Sequence, residues 1–142
     1  MNPIIFFVPG DPQPGGSKRA FYIPKLKRSV ITEANPKAKN WRSTVAQVAA
    51  EVMRSPLQGA LSVRFEFFKA RPKGHYNAKG ILRPSAPAYP TTKPDTTKLV
   101  RSTEDALKGI AWRDDSQVVD QFACKRYGDH IGCKVTITEK ER

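Results

Sequence analysis

Leu61, Val63, Phe65 and Phe67 alternate with Ser62, Arg64 and Glu66, and a period of two over apolar residues this large demands a strand with one face on a core. A chain that owns such a strand must also supply a cover for it. Two helical stripes are at hand. Between Pro36 and Pro56, Trp41, Val45, Val48, Ala49, Val52 and Met53 recur along one helical face. Farther on, Leu99, Thr103, Ala106, Leu107 and Ile110 do the same, with Gly109 where that helix should stop. Ile4, Phe6 and Val8 alternate before Pro9, and Phe21 to Ile23 predicts a short second strand. The last third reads as a hairpin over 117–138 that turns at Gly128 and Asp129. That turn sets Phe122 opposite Val135 and Cys124 opposite Cys133, and it puts Asp120 opposite Ile137, which needs a bulge or an edge position. The expectation is an α+β fold: a mixed or antiparallel sheet of about five strands packed on two helices. No repeat or linker divides the sequence, so 1–142 reads as a single domain.

Charge is segregated along this frame. Lys and Arg total 25 against 13 Asp and Glu, a net +12, so the surface attracts polyanions. No acid occurs from Pro12 to Thr32 or from Phe67 to Pro94. These stretches predict two basic loops, 9–29 and 69–94, and their Lys18, Arg19, Lys69, Arg71 and Lys73 are candidate contacts to a nucleic-acid backbone. The apolar run Ile4 to Val8 is too short to span a bilayer, and two cysteines make no disulfide framework. A soluble, cytoplasmic protein that engages no membrane is expected.

Six of the 13 acids then fall between Asp95 and Asp120. Each repels the ligand that the rest of the surface attracts, and metal binding is the usual reason to gather them. Mg2+ takes oxygen ligands, commonly one or two carboxylates with waters and phosphate oxygens, and it activates water for phosphodiester hydrolysis. Lys98 and Arg101 stand near as cations for the phosphate. A helix of about 13 residues carries the chain ~20 Å from Asp95, and six extended residues return it by about 20 Å at most. Asp95 and Asp115 can therefore meet within one subunit, or a dimer partner completes the site. The spacing equally allows a bland reading in which Asp95 caps the helix, Asp105 pairs with Arg101, and Asp114 with Asp115 forms a solvated turn.

Pro94-Asp95, Leu99, Arg101, Asp105-Ala106-Leu107, Gly109 and Asp114-Asp115-Ser116-Gln117-Val118-Val119 resemble the signature of the RusA-type Holliday-junction resolvases. That signature has Pro-Asp-x-Asp-Asn-Leu-x-Lys at a helix start, Asp-Ala-Leu-x-Gly at its end and Asp-Asp-x-Gln-Val before a strand. The resemblance implies a small homodimeric endonuclease that binds four-way DNA junctions and nicks them with Mg2+ held by aspartates, with Mn2+ able to substitute. It implies Asp95 and Asp115 as catalytic metal ligands, Asp114 as a supporting ligand, and Arg101 in the place of a catalytic lysine, with Lys98 facing the DNA. Thr97 stands where the family has a second aspartate and Lys98 where it has asparagine. Asp114, Asp120 or Glu104 then substitutes as ligand, or the protein binds junctions and cuts them slowly or not at all.

Other features are weaker. The loop from Gly10 to Lys18 has Gly16 where a phosphate-binding loop needs lysine, and Pro12 and Pro14 remove donors, so no nucleotide cofactor is expected. Tyr76 and Tyr89 are expected at the core edge, with stacking on unpaired bases as the alternative. His75 and His130 read as exposed, and Cys124 and Cys133 as buried free thiols rather than zinc ligands. A basic RNA-binding module is a third reading, but the chain shows no aromatic strand pair for it.

Overall fold

The computed structural model describes residues 2–15, 18–33 and 35–141. In chain order its elements are β1 (Ile4–Pro9), β2 (Lys18–Ile23), β3 (Arg28–Glu33), α1 (Lys37–Val52), β4 (Leu61–Lys69), α2 (Thr96–Leu107), β5 (Val118–Tyr127) and β6 (Gly132–Glu139). Among the described residues, β1, β6, β4 and β5 form a four-stranded mixed sheet in that order, and β2 pairs with β3 separately. The fold is α+β on two helices, with four strands in the main sheet instead of about five.

β4 is the keel. Leu61, Phe65 and Phe67 are fully buried and Val63 nearly so, each contributing about 1.5–3 kcal/mol by leaving water. α1 covers this face with Trp41, Val45 and Ala49, and α2 with Leu99, Thr103 and Leu107. Val52 of the predicted α1 stripe faces solvent at the helix end. A buried bond from Trp41 Nε1 to Thr103 Oγ1 (3.1 Å) joins the two helices, and Thr103 Oγ1 in turn donates to the Leu99 carbonyl (2.9 Å).

The predicted C-terminal hairpin does not form. β4 lies between β5 and β6, parallel to the first and antiparallel to the second. Phe122 pairs with Arg64 and Val135 with Phe65; Cys124 pairs with Glu66 and Cys133 with Phe67. The physical reason is that β4 needs partners on both edges to bury its backbone, and α2 supplies the crossover that a parallel β4–β5 pair requires. Strands that flank a third are about 10 Å apart, and the four residues 128–131 span that gap over the end of β4. There Gly128 donates to the Lys69 carbonyl (3.0 Å), and a Cβ on it would sit 3.0 Å from the Phe68 ring. The pairing of Asp120 with Ile137 falls with the hairpin: Asp120 lies opposite Ser62, next to a register shift in the β4–β5 pair between Leu61 and Ser62, and β5 is an edge strand.

The basic segment 9–29 is also a loop only in part, since from Lys18 onward it is the β2–β3 hairpin. The β-branched run Val30, Ile31 and Thr32 is the strand signal that charge obscured. The second basic segment is a loop, with one short 3-10 turn at Lys73–His75. No helix among the described residues is long and apolar enough to cross a membrane.

Candidate active site

Asp95 precedes α2 with extended backbone (φ −67°, ψ 140°) and makes no side-chain capping hydrogen bond. Aspartate in that position ordinarily takes one. This one is exposed, with neither carboxylate oxygen committed to the helix. Successive helical residues turn by about 100°, so Thr97, Arg101 and Glu104 share one side of α2 while Asp95 and Lys98 lie toward another.

Two clefts result. The first, of about 520 Å³, is lined by Thr97, Arg101, Glu104, Asp105, Asp115 and Gln121. Asp115 opens the short turn before β5, and the indole of fully buried Trp112 donates to its Oδ1 at 2.9 Å. That bond aims the carboxylate from a rigid base. Glu104 is half-buried beside it, and Gln121 Nε2 approaches Glu104 Oε2 at 3.4 Å. Burial above all, then the charges of Asp115 and Asp105, push the Glu104 pKa above its ordinary value, with Arg101 partly opposing. The acids thus share one cleft with Arg101 as its cation.

The second cleft, of about 700 Å³, contains Asp95 with Lys37, Lys93 and Lys98. Its floor is fastened by polar contacts: Lys69 Nζ meets Asp11 Oδ1 at 2.6 Å and the Pro12 carbonyl at 3.0 Å, and Asn35 donates to Gln13. The loop after β1 is held against α2 by Gly15, whose N–H donates to the Lys98 carbonyl (2.9 Å). A Cβ there would stand 3.0 Å from Ser102 Cβ and 3.1 Å from its Cα, so glycine sets this close approach.

The structure therefore divides the residues anticipated from sequence. Thr97, Arg101 and Asp115 come together. Asp95 and Asp115, which chain reach allowed to meet, line separate clefts, because reach fixes distance and not the side of the helix. Asp114 accepts from Ser116 N–H (2.9 Å) in a capping box with Gln117, and this bond lowers its pKa. Gln117 in turn donates to the Leu57 and Gly59 carbonyls, so Asp114 helps build the turn that presents Asp115. Asp120 is bound by Ser62 and by Lys140, which lower its pKa. Of the three acids considered as replacement ligands, Glu104 alone shares the Asp115 cleft.

Among the basic candidates, Lys98 lines the Asp95 cleft and Lys73 is exposed. Lys69 is spent on Asp11, and Arg71 lies over the Tyr127 ring (4.4 Å to its centre) while donating to the Pro87 carbonyl (2.8 Å). The side chains of Lys18 and Arg19 lie outside the described residues. Lys37 and Lys93 were not singled out as contacts from sequence; their position beside two helix starts is the signal that finds them. His75 is half-buried, edge-on to Tyr127. Cys133 is buried, which pushes its thiol pKa up, and Cys124 is half-buried; both are free.

Among the described residues no three His, Cys, Asp or Glu side chains gather as a metal-binding group. The pair Glu104 and Asp115 nevertheless suits Mg2+, which is held by one or two carboxylates with the remaining positions filled by water and phosphate oxygens.

Residues 9–138 match the family described as Endodeoxyribonuclease RusA. A Bacillus subtilis (strain 168) protein named "Uncharacterized protein YqaN" is 31% identical over 149 residues, covering 98% of this chain and 98% of its own. The family match runs from the end of β1 almost to the end of β6, through both clefts and the helix between them, and the chain belongs to the RusA endodeoxyribonuclease family.

Proposed function

We propose that this protein is a Mg2+-dependent endonuclease that nicks Holliday junctions or other branched DNA in recombination or repair, and that it acts as a homodimer because a junction presents two symmetry-related strands. The observation that carries this reading is the acidic cleft beside α2. In a chain of net charge +12, Glu104 and Asp115 line one cleft with Thr97 and Arg101, and Glu104 stays half-buried there although burial first, and the charges of Asp115 and Asp105 after it, raise its pKa.

In this reading Asp115, aimed by Trp112, and Glu104 hold the ion, while Asp95, which lines the other cleft, is not a ligand to it within the same subunit. Bound Mg2+, for which Mn2+ substitutes, supplies Lewis acidity and a water of lowered pKa. Arg101 neutralises charge that develops on the scissile phosphate. Lys37, Lys93 and Lys98 hold the neighbouring backbone. Thr97 brings a hydroxyl where the family signature has a carboxylate, and this favours a second reading, in which the protein binds junctions and cuts weakly.

The test incubates a synthetic four-way junction with wild type, Asp95→Asn and Asp115→Asn in Mg2+ and in Mn2+. Asp115→Asn should slow nicking about 10³-fold, the loss of several kcal/mol of charge stabilisation, with junction binding retained. Equal nicking by all three would remove both residues from the mechanism. Structure-selective binding without nicking by the wild type selects the second reading, and a preference for RNA that is indifferent to Mg2+ overturns both.

A further inference from the structure

Tyr89 was expected at the core edge, yet it is 67% exposed. Its backbone is not loose. Pro90 beside it is buried, Arg71 ties the Pro87 carbonyl, and Lys125 Nζ donates to the Thr92 and Pro94 carbonyls at 2.7 and 2.9 Å. A large ring is thus presented to solvent on a segment fastened on both sides.

The ring borders a cleft of about 320 Å³ lined also by Arg71, Tyr76, Arg126, Tyr127 and Asp129. That volume lies at the small end of the roughly 300–1,000 Å³ typical of ligand sites. Tyr127 is already occupied, with Arg71 over its face and His75 against its edge (5.4 Å, 88°). Among the described residues Tyr76 and Tyr89 have no ring partner, and Arg126 has no ion pair or side-chain hydrogen bond. The cleft therefore offers an unused aromatic face, an unused guanidinium and the Asp129 carboxylate.

We propose that this cleft holds one unpaired nucleotide of branched DNA, with its base stacked on Tyr89, its phosphate on Arg126 and an exocyclic amine directed to Asp129. The chemistry selects that ligand. Base stacking on an aromatic ring is sequence-tolerant, a guanidinium pairs with phosphate, and a carboxylate accepts from an amino group such as that of cytosine. Paired bases in continuous duplex cannot enter. Position supports the assignment as well: Gln121, Lys125 and Tyr127 lie on one face of β5, because strand side chains alternate. Gln121 borders the acidic cleft and Tyr127 this one, about 20 Å apart at ~3.3 Å per residue. The proposal rests on the branched-DNA reading and adds to it the device that senses the branch.

The test uses a synthetic junction with a single unpaired 5-iododeoxycytidine at its branch point, with continuous duplex as control. Irradiation should cross-link the iodinated base to Tyr89, located by peptide mass spectrometry. Tyr89→Leu, at an exposed position, should weaken binding of the unpaired junction by about 5- to 150-fold, the range measured for loss of one stacked base, while duplex affinity stays level and Tyr89→Phe restores binding. Cross-linking elsewhere with unchanged affinity in Tyr89→Leu overturns the pocket while leaving nicking intact. Failure of the wild type to prefer branched DNA strikes instead at the endonuclease reading; a single-stranded oligonucleotide carrying the same iodinated base then decides the pocket independently, by cross-linking to Tyr89 or not.

Discussion

The two sides of α2 differ in how their charges are answered. Toward Asp95 the fixed polar groups are matched: Asp11 meets Lys69, Gln13 meets Asn35, and the surplus is the cationic set Lys37, Lys93 and Lys98. Toward Asp115 the surplus is negative, with Glu104 and Asp115 opposed and Arg101 the cation in their cleft. Folding alone would favour compensation in both places. A cleft whose cations await a polyanion beside a cleft whose carboxylates await a cation is the pattern expected where a phosphodiester and a metal ion meet.

The sharpest way to break this comparison is to remove the acidic cleft's own cation. Arg101→Ala should lower junction nicking by about 10²- to 10³-fold, read as single-turnover rate at saturating protein, with affinity little changed. The opposite cleft should show the reverse. Lys93→Ala with Lys98→Ala should weaken binding of every DNA in a gel shift and reduce the slope of log affinity against log salt by about 2, while the saturated nicking rate stays near wild type. Thr97→Asp would sharpen the contrast by adding a further carboxylate to the Asp115 cleft; nicking at limiting Mg2+ should rise by about tenfold, the effect of one further charged ligand. No increase would show that Thr97 already suffices.

The smallest effect concerns stability. The native state holds the Glu104 proton more tightly than the unfolded chain, so the carboxylate costs stability as pH rises above its ordinary value of 4.5. In chelator, Glu104→Gln should therefore melt no lower than wild type near pH 7, and relatively lower as pH falls. Added Mg2+ should raise the melting temperature of wild type more than that of the variant. A larger Mg2+ shift in the variant would place the ion elsewhere.

Both helices and β4 were legible because their large apolar residues repeat with unambiguous periods. The arrangement of β5 and β6 was not, since alternation in Phe122, Cys124, Cys133 and Val135 states that strands exist and not which neighbour each one takes. In the site, the family signature isolated Asp115, Arg101 and Thr97, which the fold does assemble. Glu104 entered only as one of three substitutes, because proximity to Asp115 depends on how β5 passes α2. The separation of Asp95 from Asp115 was concealed for a different reason: a length estimate over α2 ignores rotation, and two residues of helix turn a side chain by about 200°.

The placement of β6 has a consequence for biosynthesis. It lies inside the main sheet, between β1 and β4, and carries Cys133 and Val135 fully buried and Ile137 nearly so. β1 leaves the ribosome long before its partner exists, and Gly132, at φ +150° with no room for a Cβ beside the Val8 carbonyl, begins that partner. Nascent chains ending short of Gly132 hold β1 without an edge to join, so the main sheet closes only once translation has delivered its late interior strand.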